Sequence, residues 1–216
     1  MAKVKKATKK EIEEIKTLFL EHYPDSVTEL EYNNLYELLI SVMLSAQCTD
    51  KRVNIITPAL FKAYPNPIAL ANANLDEVKS YINTCSFFNN KAKNLIKMAQ
   101  SVVENYNDEI PLKRDELVKL AGVGQKTANV VMIEYAGANL MAVDTHVYRV
   151  AHRLGLSDAK TAIKCEEELS RKFKTHLHLL HQAMVLFGRY TCKAVKPECE
   201  GCFMVSHCKT TQTFKV

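Results

Sequence analysis

Two glycines that flank a valine interrupt a helical pattern in the middle of this 216-residue chain. The segment 120–129 reads Leu-Ala-Gly-Val-Gly-Gln-Lys-Thr-Ala-Asn, with Gly122, Val123 and Gly124 at its turn. Glycine tolerates a positive φ and leaves the main chain unshielded, so the pattern predicts a tight turn. A helix begins directly after the turn, and its first N–H groups and positive dipole end face the same point. This geometry is typical of an anion site.

A short helical stretch, 114–120, precedes the turn. Helix, Gly-Val-Gly turn and helix together give the outline of a helix-hairpin-helix element, at about residues 114–133. An ordinary corner between two helices has the same outline, because short glycine motifs have many accidental matches. The turn therefore needs further chemistry nearby before it indicates a phosphate site.

Lys126 and Asp144 supply reactive groups close to the turn in sequence. Lys126 falls in the first turn of the second helix, and Asp144 follows eighteen residues later in Val-Asp-Thr-His. An amine is a nucleophile only when neutral, and a helix N-terminus with a partly apolar pocket would disfavour the charged form of Lys126. Asp144 is predicted to cap the next helix, which keeps its carboxylate ionised beside a developing positive charge. Alternatively, Lys126 is a surface cation and Asp144 is only a cap.

Four of the seven cysteines fall in one C-terminal segment, as Cys192-x6-Cys199-x2-Cys202-x5-Cys208. Four thiolates in one loop predict a metal centre, and both zinc and an iron–sulfur cluster accept four such ligands. Only one pair has the Cys-x2-Cys spacing of a zinc ribbon, and the wider loops favour a [4Fe–4S] cluster. Lys193 and Lys196 lie in the same loop, where they either contact a DNA phosphate or are simply solvated.

The other three cysteines are Cys48, Cys85 and Cys165. They lie in segments with a helical pattern, and we expect them to fill core space as small apolar side chains. In a cytosolic protein an odd number of cysteines argues against a disulfide framework.

The amino-acid composition limits the classes of protein to which this chain can belong. Hydrophobic residues make up 47% of the chain, the net charge is +5 and the pI is ≈ 8.7. These values exclude wholesale disorder and are compatible with a polyanionic partner. No apolar signal-peptide segment follows the basic N-terminus, and the most apolar run, 38–46, is too short to cross a bilayer. We therefore expect a soluble, cytoplasmic chain with no membrane contact.

Apolar residues recur with helical rather than strand spacing, so the sequence predicts an all-α fold. Thr49, Asn74 and Asp144 stand where they would cap helices. The predicted helices cover residues 8–21, 33–46, 49–64, 74–83, 89–106, 114–120, a stretch beginning at 125, 144–154, 158–173 and 176–190.

Two loops offer side chains that suit the space left by an extruded nucleotide. Gln47 follows an apolar helix, and Phe87 and Phe88 stand at the start of another. Chemistry on a base or its sugar requires extrusion from the stack, after which a glutamine or an apolar wedge fills the space. Alternatively, Gln47 is an ordinary helix C-cap and the two phenylalanines pack in the core.

Together these motifs resemble the bacterial endonuclease III family, which are iron–sulfur DNA glycosylases with AP lyase activity. The resemblance rests on segments 44–50, 120–131, 142–147 and 188–192 and on the cysteine spacing, and it runs from about Ile12 to Cys208. It implies a helix-hairpin-helix glycosylase fold with two modules. A six-helix barrel module would cover residues 28–138, and a second helical module, residues 1–27 and 139–216, would carry the [4Fe–4S] loop 192–208, with the active site in the cleft between them.

The resemblance also implies a role for each motif. Lys126 would be the Schiff-base nucleophile, Asp144 the catalytic carboxylate, and the four cysteines of 192–208 the cluster ligands. Gln47 would face the orphan base and Phe87 would be a second wedge. The chain departs from the family pattern at Ala121, where proline is usual, at Ser86, where glycine is usual, and at Cys48, where alanine is usual.

The implied reaction is base excision repair on double-stranded DNA by a monomer that is associated with the nucleoid. Oxidised or otherwise damaged pyrimidines would leave as Lys126 forms an imine, and β-elimination would cut the strand 3′ to the abasic site. Two alternatives remain at this stage. One is a monofunctional glycosylase of the adenine-mismatch type, against which Lys126 counts, and the other is a non-catalytic iron–sulfur protein that binds DNA or transfers electrons.

Overall fold

The computed structural model describes residues 5–210. Across that range the chain forms α-helices and no β-strand, which confirms the all-α prediction. None of the helices in this range is both long and apolar enough to cross a membrane. The helices are α1 (Lys9–His22), α2 (Leu35–Ser45), α3 (Asp50–Ala63), α4 (Pro67–Ala71), α5 (Leu75–Ile82), α6 (Phe88–Asn105), α7 (Arg114–Leu117), α8 (Gln125–Ala136), α9 (Thr145–Arg153), α10 (Ala162–Phe173) and α11 (Leu177–Tyr190), followed by a 3₁₀ turn at Val205–His207.

The chain divides into two compact units. The continuous unit is Glu29–Ala136 and contains α2 to α8. The split unit joins the chain up to Thr28 with the chain from Gly137 onward, and it contains α1 and α9 to α11.

Helix α2 forms the centre of the continuous unit. Its residues from Leu38 to Leu44 are all buried, as is Tyr36. A helix that is apolar around its circumference must be enclosed by other helices, and α3, α6 and α8 pack against α2. The side chain of Asn34 caps α2 by accepting a hydrogen bond from the Glu37 N–H at 3.0 Å.

An aromatic cluster holds the core of the split unit. Phe19 of α1 and Phe187 of α11 are almost fully buried, and their rings meet edge to face at 5.5 Å. Phe203 packs against both, with ring centroids 6.1 Å from Phe19 and 5.1 Å from Phe187. Edge-to-face packing of this kind stabilises a pair beyond its buried area. Because Phe203 belongs to the cysteine-rich segment, the cluster also ties that segment to the helices.

The predicted caps are confirmed. Some helix boundaries differ from the prediction, because a helix is capped at a later residue or ends at a turn. Thr49 caps α3, Asn74 caps α5 and Asp144 caps α9. The helix predicted from residue 158 begins only at Ala162, because Thr161 accepts the Lys164 N–H and caps it there. The helix predicted over 114–120 ends at Leu117, since the next residues form the turn. The five-residue helix α4 was not predicted.

The expectation that the three isolated cysteines fill core space is confirmed for Cys85 and Cys165, whereas Cys48 is only half-buried. Cys165 lies in α10 and is buried. Cys48 lies between α2 and α3 and is half-buried, whereas Cys85 lies between α5 and α6 and is buried. Their Sγ atoms are 3.3 Å apart. The folding of α2, α3, α5 and α6 brings these two loops together across 37 residues of sequence.

Candidate active site and cysteine loop

The helix-hairpin-helix element consists of α7, the turn 118–124 and α8. Arg114 at the start of α7 donates from Nε to Oδ1 of the buried Asn129 on α8, at 2.7 Å. Leu117, Leu120 and Val123 are buried between the two helices and their neighbours. The Val123 N–H donates to the Leu120 carbonyl at 3.1 Å and closes the turn. The hairpin is therefore held by contacts between residues close in sequence.

The fold requires glycine at only one of the two glycine positions in the turn. Gly122 has φ +77°, and a Cβ there would lie 2.8 Å from the Cβ of Asn94. Both the backbone conformation and the packing therefore exclude a side chain at Gly122. Gly124 has neither constraint, because its φ lies outside the left-handed region and a Cβ there would meet nothing within 4 Å. The protein's own fold does not require a glycine at position 124, and its main chain is open to an incoming group.

Lys126 lies in the first turn of α8, directly after this open main chain. The Gly124 carbonyl accepts the Ala128 N–H at 3.0 Å, so the helical hydrogen-bond pattern starts at Gly124. Lys126 is exposed. Val123, by contrast, is buried, so only its main chain is available to a ligand.

Asp144 is the N-cap of α9 in the split unit. Its Oδ1 accepts the Val147 N–H at 2.8 Å, and the side chain is half-buried. Arg149 anchors the same helix, because its Nη2 donates to the Gly188 carbonyl at 2.6 Å and its Nε to the Cys192 carbonyl at 3.0 Å. The carboxylate therefore has one main-chain donor, and the helix that carries it is fixed to the start of the cysteine loop.

All four cysteines of the 192–208 loop line one pocket in the split unit. Arg153, a nearly buried arginine at the end of α9, reaches the same loop. Its Nη1 donates to the Cys192 carbonyl and Sγ at 3.0 and 3.1 Å and to the Lys193 carbonyl at 2.7 Å. A buried guanidinium that donates to a thiol and two carbonyls fixes the entrance of the loop. Against the larger effect of burial, which raises the pKa of Cys192, its hydrogen bond acts to lower that pKa.

The four sulfurs are near one another but are not gathered around a single point. Burial raises the pKa of Cys202, and the charges of Cys192, Cys199 and Cys208 raise it further. Burial likewise raises the pKa of Cys192, against the hydrogen bond from Arg153. Within residues 5–210, however, no three histidine, cysteine or acidic side chains converge closely enough to hold one metal ion.

Lys193 and Lys196 have different surroundings. Lys193 forms an ion pair with Glu198 at 2.5 Å, so its charge is already partly balanced within the loop. Lys196 is exposed, with φ +50°. Of the two, Lys196 is the better placed to meet an external anion.

Gln47 and Phe87 share an unusual backbone conformation on exposed loops of the continuous unit. Their φ values are +56° and +59°, in the left-handed region that non-glycine residues rarely occupy. Phe87 is 61% exposed, which rules out core packing for this residue, whereas Phe88 is only half-buried. Gln47 follows Ala46, the C-cap of α2, so it does lie at a helix end, as the alternative interpretation held. Strained, exposed residues of this kind are concentrated at functional sites.

The sequence interpretation missed the two arginines of α9. Arg149 and Arg153 are four residues apart and so share one face of the helix. That spacing was visible in the sequence, but their acceptors are carbonyls about forty residues later, for which no side-chain motif exists.

Comparison with known proteins places this chain among DNA repair proteins. Residues 40–175 match the family model of the HhH-GPD superfamily base excision DNA repair protein. Endonuclease III of Haemophilus influenzae is 44% identical, with 91% of this chain and 93% of that protein covered. Endonuclease III of Bacillus subtilis is 43% identical, with 88% of each covered. The solved structure of a trapped endonuclease III–DNA covalent intermediate has a TM-score of 0.90 and 40% identity, covering 94% of this chain and 96% of that one.

The family match and the near-complete coverage of both relatives agree with the helix-hairpin-helix element found in the fold. This chain belongs to the endonuclease III family, within the HhH-GPD superfamily of base excision DNA repair proteins.

Proposed function

We propose that this protein is a DNA glycosylase with AP lyase activity that removes oxidised or otherwise damaged pyrimidines from double-stranded DNA. The observation that carries the proposal is the position of an exposed lysine, Lys126, in the first helical turn after the open main chain of Gly124. Support comes from the similarity to a trapped covalent intermediate of endonuclease III with DNA. Such an enzyme would act in the cytoplasm, at the nucleoid.

The hairpin would bind a DNA phosphate through its main chain. Helix N-termini attract phosphate because their N–H groups and dipole point at the anion. At Gly124 no side chain stands between the main chain and an approaching phosphate oxygen. Gly122, Val123 and Gly124 are therefore proposed as the DNA-backbone contacts, and Lys196 as a further cation on the cysteine loop.

Lys126 would act as the nucleophile. Its Nζ bonds to C1′ of the damaged nucleotide, the bond between C1′ and the base breaks, and the base leaves with the electron pair. Loss of the amine protons and opening of the sugar ring give an imine. The imine acidifies the hydrogen on C2′, and removal of that proton expels the 3′ oxygen with its phosphate.

Asp144 would serve the same reaction as an ionised carboxylate. The hydrogen bond from the Val147 N–H holds one of its oxygens, which leaves the other to face substrate. A fixed carboxylate stabilises positive charge that develops on the sugar and accepts a proton from the attacking amine.

Gln47 and Phe87 would fill the space left by the extruded nucleotide. Both are exposed on loops and have a left-handed backbone, Gln47 directly after the C-cap of α2 and Phe87 as the N-cap of α6. Glutamine can hydrogen-bond the orphan base, and an exposed phenyl ring can stack between bases.

We propose that Cys192, Cys199, Cys202 and Cys208 hold a [4Fe–4S] cluster rather than zinc. All four line one pocket, and only one pair has the Cys-x2-Cys spacing of a zinc ribbon, whereas the wider x6 and x5 loops suit a larger cubane. A bound cluster would supply a rigid metal core to the loop. Arg153 would hold the Cys192 end of this loop, and Phe203 would hold it against the aromatic core.

A panel of defined duplexes tests the proposed function. We expect base release and strand cleavage by β-elimination with thymine glycol and dihydrouracil, and cleavage alone at an abasic site. Asp144→Asn should retain the cap, because asparagine caps equally well, but should lower the turnover rate by about 10²–10⁴-fold. Release of adenine from a mismatch with no strand cleavage would indicate the monofunctional alternative. Binding without any product would indicate the non-catalytic one.

A further inference from the structure

Cys48 and Cys85 form the one pair of cysteine thiols in hydrogen-bonding contact among residues 5–210. Cys48 belongs to the Gln47 loop, residues 46–49, and Cys85 to the Phe87 loop, residues 83–87. We propose that these two cysteines form a reversible disulfide that joins the two loops and thereby weakens binding to damaged DNA. The effect on DNA rests on the proposed function, whereas the formation of the bond does not.

The two sulfurs need little movement to bond. They are 3.3 Å apart, and a disulfide bond is about 2.05 Å long, so closure requires a shift of just over 1 Å. Both residues lie outside helices, but each donates its N–H to the last carbonyl of the preceding helix, Cys48 to Ser45 at 3.0 Å and Cys85 to Ile82 at 2.9 Å. Rotation of the two side chains can supply this shift while those hydrogen bonds stay in place. Neither thiol belongs to the cysteine pocket of the split unit.

The surroundings of the pair hold the two loops together and make the two thiols unequal. Lys91 donates from Nζ to the carbonyls of Leu44 and Ala46, both at 2.7 Å, which holds the Gln47 loop beside the Phe87 loop. Burial raises the pKa of Cys85 to about 12, although the charges of Lys91 and Arg52 act in the opposite direction. Cys48 is the more exposed thiol. An incoming oxidant therefore meets Cys48 first, and the later attack by Cys85 is the slower step because its raised pKa leaves little thiolate.

Oxidised glutathione, a small-molecule disulfide, can serve as the oxidant that forms the Cys48–Cys85 bond. The Cys48 thiolate attacks one glutathione sulfur, the glutathione S–S bond breaks, and one glutathione leaves and takes up a proton. Cys85 then loses its proton to solvent and attacks the Cys48 sulfur of the mixed disulfide, which releases the second glutathione. The two cysteines lose two protons and two electrons in total, and the glutathione disulfide gains them.

The bond would restrict the two residues proposed to enter the DNA. Gln47 directly precedes Cys48, and Phe87 lies two residues after Cys85. Both residues are already in the left-handed region, where a side chain leaves the backbone little freedom. Adjustment to a duplex therefore depends on the neighbouring residues of each loop, and a cross-link at Cys48 and Cys85 removes that adjustment. We expect oxidation to lower the affinity for an abasic-site duplex by about 5-fold or more.

The first measurement locates the bond. The reduced, metal-loaded protein is incubated without oxygen with oxidised glutathione, free thiols are alkylated, and peptides are mapped by mass spectrometry. We expect a cross-linked peptide that contains Cys48 and Cys85, which dithiothreitol removes. Cys48→Ser should abolish it, and Cys165→Ser, a change at a buried thiol elsewhere, should leave it. Glutathione that remains on Cys48 with no cross-link, or no modification at either residue, would overturn the proposal.

The second measurement uses the same samples to test whether the disulfide weakens DNA binding. Affinity for a duplex with a stable abasic-site analogue is compared before oxidation, after oxidation and after re-reduction, while visible absorbance checks that the metal centre is intact. Weaker binding in the wild type but not in Cys48→Ser supports the proposal. Unchanged affinity despite a mapped cross-link overturns the effect on DNA. Failure of the reduced protein to bind the duplex contradicts the proposed function instead, while the mapped bond would still support the cross-link.

Discussion

The hairpin and the cysteine loop are held in different ways. The hairpin is closed by contacts between near neighbours, such as Arg114 with Asn129 and Val123 with Leu120. The cysteine loop has only a 3₁₀ turn as regular structure, and its start is held by arginines that precede it by about forty residues. Both regions carry the residues that we assign to function.

The difference predicts which site the polypeptide makes alone and which depends on the proposed metal centre. Hydrogen bonds and buried leucines fix the main chain of the hairpin, so it is formed before any substrate binds. The cysteine loop directs four thiols into one pocket, and four unligated thiols contribute little cohesion there. Loss of the metal centre should therefore loosen one region and leave the other intact.

The largest expected effect is that of removing one proposed ligand. Cys199 is exposed, so Cys199→Ser removes little packing, and any large change reports on the metal centre. We expect hydrogen exchange over 191–208 to rise until the local opening free energy approaches about 0 kcal/mol, with no change over 114–133. Cys48→Ser in the other unit is the control. Equal loosening of both regions would refute the distinction.

The next largest effect should be a loss of stability on substitution of Gly122, the closely packed glycine of the hairpin. Gly122→Ala forces an L-residue to φ +77° and places a methyl group against Asn94. We expect the free energy of unfolding to fall by about 1–3 kcal/mol, as measured by urea denaturation. A neutral Gly122→Ala variant would show that the turn is not fixed by its own geometry.

Gly124→Ala should separate binding from stability in the same turn. Because a Cβ at Gly124 meets nothing within 4 Å, we expect the free energy of unfolding to change by no more than about 0.5 kcal/mol. The added methyl group shields the main chain, and loss of one charge-assisted contact costs about 1.5 kcal/mol, or roughly tenfold in DNA affinity. The salt dependence of binding should stay the same, since no cation is removed. Undiminished DNA affinity in Gly124→Ala would show that the DNA phosphate does not bind at the main chain of Gly124.

The sequence predicted features that depend on local patterns. The all-α fold and the caps Thr49, Asn74 and Asp144 follow from helical periodicity and from side chains that accept helix N–H groups. The turn at Gly122 likewise carries its own signal, because only glycine adopts its conformation at no cost.

Features that depend on tertiary packing were missed. Contact between Cys48 and Cys85 requires two loops to meet, and the sequence of neither loop predicts this contact. Helix α4, with five residues, is too short for periodicity to reveal.

Borohydride trapping tests the central claim, that Lys126 is the nucleophile presented by the hairpin, most directly. The protein is incubated with an abasic-site duplex, reduced, and examined for a covalent protein–DNA complex. We expect the wild type and Lys113→Ala, which removes an exposed lysine directly before α7, to be trapped, and Lys126→Ala not to be trapped. Undiminished trapping by Lys126→Ala, or no trapping by the wild type, would contradict the account.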